Sequence, residues 1–488
     1  MLSSPITVPM WIFALLALLS ALFFIDRIVV PTVRWMMRRR VKRVISEVSE
    51  HLRFEIRPFQ LTKRKVLIDR LTFDPVVAEA VETHVQQSGQ SRDEAMEEVR
   101  TYAAEIVPSF NAWIYYRCVW HLCRSVTRLL YRVRLGVADE EKIFAIDRDA
   151  TVVFVMNHRS NFDYLLVAYL ASRQTTLSYA AGEWARIFLL ESVIRAMGAF
   201  FVRRDSGNPL YRAVLRQYVH MATREGVCQA VFPEGRLTTT GGLAEPRLGF
   251  IDYMLRDFDV TRHRDVIFLP VGINYDKVLE DQIQIDAGKG IRVHRSLWKW
   301  FNFAGRSVLV YFTRRKDRRR DLFGYASVNF GLPISAKEFA GRLNINFVDL
   351  DKDERFNYTA MLVQRVMNGV GYVIPILPVP LIAQAFCHSN RHVMSELQVI
   401  SAVHDLIDDL IEKGAPINDS ETPSRKTMQK SLALMVHHGL LDTGEGGFRA
   451  VSDAQERLQY YANSIEHWYG GIESIEPLQH QLTAVVSD

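Results

Sequence analysis

Cysteine is scarce in this chain, and its spacing argues against a metal framework. Cys118, Cys123, Cys228 and Cys387 are the only cysteines among 488 residues. His121 lies between the first two, but no second pair of ligands accompanies them, as a structural zinc site would require. We therefore expect reduced thiols packed in the core, and we expect neither a metal nor another cofactor.

A large excess of charge of one sign is also absent. The net charge is +5, from 60 basic and 55 acidic residues. One basic run, residues 314–320, lies between two predicted strands; it either contacts anionic head groups or an acidic carrier protein, or forms a solvated loop. No nucleic-acid-binding motif and no basic sheet with interleaved aromatic residues accompany it, so we exclude nucleic acid as a partner.

No basic residue precedes the apolar run of residues 8–25. A cleaved signal peptide carries its positive charge before such a run, so we interpret residues 8–31 as a retained transmembrane helix. Five arginines and one lysine follow within residues 34–43. The positive-inside rule then predicts a single-pass protein of the cytoplasmic (inner) membrane, with the rest of the chain in the cytoplasm. An apolar helix lying in the membrane interface is the alternative.

The centre of the chain alternates short apolar runs with segments of helical periodicity, whereas both flanks are helical in pattern. This order predicts an α/β fold with a mixed sheet flanked by helices on both faces. The predicted parts are an N-terminal helical region at 44–134, a central α/β domain at 135–335 and a mainly helical C-terminal region at 336–488. The predicted strands are residues 151–155, 176–180, 199–202, 227–231, 266–274, 307–312 and 327–331.

The most informative motif follows the first of these strands, where His158 and Asp163 lie five positions apart. On one continuous helix they would lie about 140° apart and could not meet. A turn after the strand, with Ser160 or Asn161 capping a helix from about residue 161, would let the carboxylate reach the imidazole. Such a carboxylate fixes the tautomer and leaves the other ring nitrogen as a base.

Two other interpretations of this motif stay open at this point. His158 could be an ordinary loop histidine beside a first-turn carboxylate. Ser160 could be a nucleophile, although it lacks the Gly-x-Ser-x-Gly turn that usually presents one.

Three further blocks follow in order. The first, Gly198 to Asp205, places an aromatic strand directly before Arg203 and Arg204, a pair suited to binding a phosphate. The second block, residues 232–241, contains Glu234, Gly235 and Arg236 in a loop where hydroxyls and backbone amides can accept a polar head group. The third block, residues 266–275, is a buried-type strand interrupted by Pro270. Because proline cannot donate in a ladder, we expect it at an edge or a bulge.

The four blocks, in this order, resemble the glycerol-3-phosphate acyltransferase family within the phospholipid and glycerol acyltransferase group, in its bacterial type. Residues 158–166 resemble the family's H-x-x-x-x-D block, and residues 198–204 resemble its G-x-F-F-I-R-R block. Residues 232–241 and 269–275 resemble the third and fourth blocks. The similarity is clearest over residues 135–335, and residues 460–467 resemble the C-terminal region of bacterial members.

The resemblance implies transfer of a fatty acyl group from acyl-CoA or acyl carrier protein to the sn-1 hydroxyl of glycerol 3-phosphate at a phospholipid membrane. His158 would be the general base, Asp163 would orient it, and no acyl-enzyme would form. The other site residues that it implies contact or shape the substrate pocket: Arg159, Gly198, Phe201, Arg203, Arg204, Glu234, Gly235, Arg236 and Pro270.

One departure from the family pattern bears on the acceptor. The third block of the family usually carries arginines where this chain has Leu237 and Thr239, and Arg236 lies one step early. A lysophospholipid such as 1-acyl-glycerol 3-phosphate, or dihydroxyacetone phosphate, is therefore an alternative acceptor. A thioester hydrolase and a non-catalytic lipid-binding scaffold are the alternatives from other functional classes.

Overall fold

The computed structural model describes residue 27 and residues 57–115, 120–137, 139–171, 178–181, 194–203, 207–291, 323–389, 392–417 and 423–469. Apart from residue 27, the predicted transmembrane helix at 8–31 lies outside these residues, as does the predicted strand at 307–312. Within them, no single helix is both long and apolar enough to cross a membrane. Two consecutive helices, Lys352–Val373 and Pro378–His388, are together long and apolar enough to cross one, but they are bent by 92° relative to each other.

A mixed sheet forms the centre of the molecule. Its strands are β1 (Arg132–Val137), β2 (Thr151–Met156), β3 (Ser178–Ala181), β4 (Phe200–Phe201), β5 (Gln229–Val231), β6 (Val266–Tyr275), β7 (Tyr325–Phe330) and β8 (Ile334–Ser335). The order across the sheet is β1, β7, β6, β2, β5, β3 and β4, and β8 pairs with β6 beside β7. β6 runs antiparallel to β7 and β8, whereas the other pairs are parallel. The predicted mixed sheet is thus confirmed.

Both faces of the sheet are buried. Successive side chains of a strand point to opposite sides, so one strand contributes to both faces. In β2, Val152, Phe154 and Met156 pack into one apolar cluster. Val153 and Val155 pack into a second cluster on the other face. An apolar face has to be covered by another layer, so helices lie on both sides of the sheet, as predicted.

The N-terminal helices contribute to the second cluster, on the face of Val153. Two of these helices begin at side-chain caps. Asp74 caps Pro75–Ser88, where its carboxylate accepts from the Val76 amide, and Ser91 and Glu94 form a capping box at the start of Arg92–Ile106. The helices before and within the sheet are Pro58–Leu61, Arg64–Thr72, Pro75–Ser88, Arg92–Ile106, Ala112–Ile114, Trp120–Leu130, Glu140–Ala145, Asp163–Ala171, Pro209–Arg224, Gly249–Leu255 and Asp281–Gly288.

The C-terminal region covers both faces of the sheet. Lys352–Val373 joins the second cluster, and the helices after it pack in the first. The hairpin of β9 (Leu441–Gly444) and β10 (Gly447–Ala450) was missed by the helical pattern of this region. The helices of the region are Ala336–Leu343, Lys352–Val373, Pro378–His388, Glu396–Glu412, Arg425–His437 and Gln455–Ala462, with 3-10 turns at Phe347–Asp349, Ser452–Ala454 and Glu466–Trp468.

Two local predictions differ from the structure. β1 occupies residues predicted to end the N-terminal helical region, because its partner β7 lies almost 200 residues away and leaves no local signal. Of the two positions expected for Pro270, the edge strand is wrong, because β6 has neighbours on both sides. The bulge agrees with the pairing, since three residues, 331–333, face only two residues of β6, 269 and 270. The proline is tolerated there because β7 gives way to β8 at this point, where the Pro270 carbonyl accepts from the Gly331 amide at 2.8 Å.

Candidate active site

The candidate catalytic residues lie at the carboxyl edge of the parallel strands. His158 follows β2, Glu234 follows β5 and Arg203 follows β4. Carboxyl ends of parallel strands meet at one edge of a sheet, which is where open α/β sheets bind ligands. β2 and β4 are separated by β5 and β3, so His158 and Arg203 follow strands roughly 14 Å apart at the usual strand spacing.

His158 and Asp163 meet as predicted. Nδ1 of His158 lies 2.9 Å from Oδ2 of Asp163, and both side chains are buried. The same oxygen accepts from the backbone amides of Arg159 and Ser160, at 2.8 and 3.0 Å. These bonds form the turn between β2 and the helix Asp163–Ala171, which begins two residues later than predicted. An ionised Asp163 keeps the imidazole proton on Nδ1 and leaves the lone pair on Nε2.

The second carboxylate oxygen of Asp163 has a partner that the motif did not indicate. The Tyr275 hydroxyl, at the end of β6, donates to Oδ1 at 2.6 Å. Burial raises the pKa of Tyr275 well above its usual value, and the neighbouring Asp163 charge raises it further. Tyr275 is therefore a protonated donor that fixes the carboxylate from the side opposite to the imidazole. Its position in the fourth block was its only sequence signal.

The imidazole is also held by its ring faces. Phe232 stacks on His158 with the ring centroids 4.1 Å apart, and Tyr164 meets it edge-on at 5.4 Å. Within the described residues, Nε2 of His158 makes no hydrogen bond, so a substrate hydroxyl can occupy that position. The arrangement is that of a positioned general base.

The geometry does not support Ser160 as a nucleophile. Its hydroxyl donates to Oε2 of Glu280 at 2.7 Å and accepts from the Phe162 amide at 3.1 Å. Asn161 donates to the other oxygen of Glu280 at 3.2 Å. Burial raises the pKa of Glu280 to about 7, and the two donors oppose that rise. Ser160 and Glu280 thus brace the turn that carries His158, a role for Glu280 that sequence reasoning missed.

Glu234 contacts the catalytic loop directly. Its Oε1 accepts from the His158 amide at 2.9 Å, and its Oε2 accepts from the Ala244 amide at 3.2 Å. Burial raises the pKa of Glu234 to about 8, although both amides favour the ionised form. The carboxylate therefore joins the turn after β2 to the loop after β5. Its predicted part in shaping the acceptor side of the pocket stays a prediction.

Arg159 is buried and points into the loop after β5. Its Nη1 donates to the Gly241 carbonyl at 2.5 Å, and its guanidinium lies 5.3 Å from the ring centroid of Tyr460. Nε and Nη2 are buried and have no hydrogen-bond partner among the residues that the structure describes. Gln284 donates to the Arg159 carbonyl at 2.9 Å and accepts from the Tyr460 hydroxyl at 2.5 Å. Arg159 thus connects the active-site turn to the C-terminal helix Gln455–Ala462.

The loop after β5 is fixed by that helix. A Cβ at Gly241 would lie 1.8 Å from the Tyr460 carbonyl oxygen, and Asn463 donates to the Thr240 carbonyl at 2.8 Å. Gly235 has a φ of 69°, which favours glycine. Arg236 is exposed and makes no ion pair or hydrogen bond within the described part of the chain. It is therefore available to an anionic ligand.

The block around β4 is divided between the two ends of the strand. Arg203, at the carboxyl end, forms a fork with Glu105, with Nη2 to Oε2 at 2.6 Å and Nε to Oε1 at 2.9 Å. Phe201 is buried under the Arg195 guanidinium, 4.6 Å away. Gly198, at the amino end, accepts from the Ser178 hydroxyl at 2.9 Å.

Two further residues that were predicted to contact the substrate are Arg204 and Pro270. Arg204 lies outside the described residues. Pro270 packs against Gly369 of the helix Lys352–Val373. Three residues further along β6, the backbone of Ile273 exchanges two hydrogen bonds with the Asn157 side chain. The predicted substrate contacts of Gly198, Phe201 and Pro270 stay predictions.

Comparison with known families adds two matches. The Acyltransferase family matches residues 136–274, and the Glycerol-3-phosphate acyltransferase C-terminal region matches residues 309–470. The resemblance stated from the motifs is thereby confirmed, and the domain content is that of an O-acyltransferase. The C-terminal match also includes the helix that contacts Gly241.

The curated relatives in this comparison are named glycerol-3-phosphate acyltransferase. Glycerol-3-phosphate acyltransferase of Pseudomonas aeruginosa is 28% identical over 445 residues, which are 88% of this chain and 51% of that protein. The protein of that name from Xylella fastidiosa is 27% identical over 452 residues, 88% of this chain and 49% of that protein. The chain thus spans about half the length of these relatives. A solved 1-acyl-sn-glycerophosphate acyltransferase of Thermotoga maritima is 17% identical, with a TM-score of 0.29 over 62% of this chain and 96% of that one.

Proposed function

We propose that the protein transfers a fatty acyl group from acyl-CoA or acyl carrier protein to the sn-1 hydroxyl of glycerol 3-phosphate, giving lysophosphatidate for phospholipid synthesis. The observation that carries the proposal is the His158–Asp163 pair at the carboxyl edge of the sheet, in which Nδ1 of His158 is bonded to the carboxylate and Nε2 makes no hydrogen bond to a described residue. The names of the curated relatives support glycerol 3-phosphate as the acceptor.

The residues suggest a direct transfer. Nε2 of His158 takes the proton from the acceptor hydroxyl as the hydroxyl oxygen attacks the thioester carbonyl. Asp163 stabilises the imidazolium that forms, through the bond to Nδ1. The carbon–sulfur bond then breaks, and the imidazolium returns its proton to the thiolate, which leaves as a thiol. No covalent intermediate on the protein is needed, and Ser160 is occupied by Glu280.

A lysophospholipid acceptor is the second candidate, and dihydroxyacetone phosphate is a third. In the loop after β5, Leu237 and Thr239 stand where the family carries arginines, which weakens phosphate binding there. Arg203 also has part of its guanidinium occupied by Glu105. We propose that an acceptor phosphate is held by the exposed Arg236 and by Nη1 of Arg203, the guanidinium nitrogen that does not contact Glu105.

We place the catalytic domain in the cytoplasm beside the inner membrane, held by residues 8–31. The support is the charge pattern of the sequence, with basic residues only after the apolar run. Removing residues 1–31 should release the protein from the membrane fraction after carbonate washing, while the full chain stays in the pellet. A full chain released by the same wash would contradict a spanning helix and favour an interfacial one.

The central experiment offers labelled palmitoyl-CoA to detergent-solubilised protein, with glycerol 3-phosphate, 1-acyl-glycerol 3-phosphate, dihydroxyacetone phosphate or water as acceptor. His158→Ala is the test variant, and His404→Ala, an exposed histidine on Glu396–Glu412, is the control. We expect lysophosphatidate from glycerol 3-phosphate, a loss of about 10²–10⁴-fold in His158→Ala and no change in the control. The same experiment with palmitoyl acyl carrier protein compares the donors.

The other outcomes separate the alternatives. Product from the lysolipid alone would establish the second candidate. Thioester loss without any acceptor would establish a hydrolase. Activity unaffected by His158→Ala would contradict the proposed base, and no thioester consumption with any acceptor or donor would favour a lipid-binding scaffold.

A further inference from the structure

A groove of about 570 Å³ opens on the helical layer, away from the His158 turn. It is lined by residues of Pro75–Ser88, Pro209–Arg224 and Gly249–Leu255, and by Lys352 and Phe356 at the start of Lys352–Val373. None of the four sequence blocks contributes to it. The helix Pro209–Arg224 connects the groove to the active-site edge, because the Tyr211 hydroxyl accepts from the Arg203 amide at 2.8 Å.

The groove is lined by an excess of positive charge. Arg212, Arg216, Arg256 and Lys352 face it, against the carboxylates of Glu79 and Asp252. Asp252 is already neutralised, because its Oδ1 accepts from Nε of the buried Arg355 at 2.8 Å. Glu79 is exposed to solvent, so it screens the cations weakly.

Two of the cations, Arg216 and Arg256, line the same groove. Burial lowers the pKa of Arg216, and the repulsion of Arg256 lowers it further. Within the described residues neither guanidinium forms an ion pair. The nearby Asp257 is largely exposed and lies 3.7 Å from His220. Neighbouring cations that are half-buried and unpaired are costly, and an anion between them removes that cost.

Aromatic side chains of the groove could contact a planar ring of a ligand. Tyr253 lines the groove together with Arg212, Arg216 and Arg256. Phe356 is exposed and also lines the groove. The volume is that of a small-molecule site, whereas a protein partner would need a broad surface. Arginine forks beside aromatic rings suit phosphates attached to a planar base.

We propose that this groove binds the phosphate groups of a nucleotide. Two sources share this chemistry: the nucleotide end of coenzyme A, which rests on the proposed function, and a free adenine nucleotide, which does not. Either way, Arg216 and Arg256 contact the phosphates, and Tyr253 and Phe356 lie beside the base.

The test measures binding of coenzyme A, ADP and adenosine to the full-length protein in detergent by isothermal titration calorimetry. The groove variant is Arg216→Gln/Arg256→Gln, and a milder variant, Lys352→Gln, changes an exposed position. The control, Arg92→Gln/Arg262→Gln, removes the same charge from exposed positions outside the groove. Thermal unfolding checks that each variant is folded.

We expect coenzyme A, ADP or both to bind with a Kd that rises about tenfold or more in the groove variant and less in Lys352→Gln, with no change in the control. Adenosine should bind far more weakly than either. Coenzyme A binding together with a raised KM for acyl-CoA identifies the donor, whereas ADP binding at an unchanged KM identifies a free nucleotide. No saturable binding, or binding unaffected in a folded groove variant, overturns the proposal. Because binding is measured without acceptor, absence of acyl transfer is a separate result.

Discussion

The Tyr275 hydroxyl donates a hydrogen bond of 2.6 Å to Oδ1 of Asp163, while Oδ2 of the same carboxylate faces His158. The two residues are 112 positions apart in the chain and meet because β2 and β6 are neighbouring parallel strands. Asp163 is thus held by the fold on one side and by its own turn on the other. The catalytic geometry therefore depends on the pairing of β2 with β6.

Tyr275→Phe should lower kcat by about tenfold and leave KM nearly unchanged, because it removes one hydrogen bond to a charged group that positions the base. Steady-state acyl transfer measures both constants. Tyr131→Phe is the matched control: its ring lies 5.4 Å from that of Tyr275, but its hydroxyl donates to the Lys277 carbonyl. Equal losses in the two variants would show that packing, rather than the bond to Asp163, accounts for the effect.

Gly241→Ala should destabilise the protein by about 2–5 kcal/mol, because φ is 89° and the new Cβ would meet the Tyr460 carbonyl. Chemical unfolding gives the free energy, and acyl transfer should fall as the loop after β5 moves. Gly242→Ala is the control, since its Cβ would meet nothing closer than 3.5 Å. A tolerated Gly241→Ala would contradict the contact between the loop and the C-terminal helix.

Arg203→Gln should raise the KM for the phosphorylated acceptor by about tenfold or more, with a smaller effect on kcat, if the free Nη1 contacts the phosphate. Glu105→Gln removes the fork partner but keeps the guanidinium, so it should leave that KM unchanged or lower it. Arg203→Lys should rescue only partly, because lysine lacks the planar fork. An unchanged KM in Arg203→Gln would assign the arginine to structure alone.

His467 should make the protein less stable at low pH. Burial lowers its pKa to about 4, the charge of Arg159 lowers it further, and the Gly371 carbonyl, 2.9 Å from Nε2, opposes this. A histidine whose pKa is lowered by folding contributes stability above its unfolded value of about 6.5, and that contribution is lost as pH falls through 4. The expected contribution is roughly 3 kcal/mol.

The measurement compares unfolding free energies of the native protein and His467→Gln between pH 7 and pH 4. The glutamine amide can still donate to Gly371 but does not titrate, so the variant should lose less stability over this range. His404→Gln, at an exposed position, should follow the native protein. Parallel pH profiles for the native protein and His467→Gln would contradict the assignment.

Elements whose signals are local were predicted well from the sequence. The helices Arg92–Ile106 and Pro209–Arg224 carry their own caps and periodicity, and β2 and β6 are short apolar runs. The contact of His158 with Asp163 is local too, because the carboxylate closes a turn within five residues. Their approach could therefore be inferred before any fold was known.

Contacts between distant parts of the chain were decided only by the tertiary structure. The sequence by itself determined the alternating strands and helices, the order of the four blocks and the choice of His158 as the candidate base. It left no sign of β1, of the Glu280 brace, or of the Tyr460 carbonyl against Gly241, because each depends on a partner brought close by packing. A hydrogen bond between residues far apart in the chain depends on the register in which the strands pair. The periodicity of the sequence does not indicate such a bond, because it reflects only neighbours along the chain.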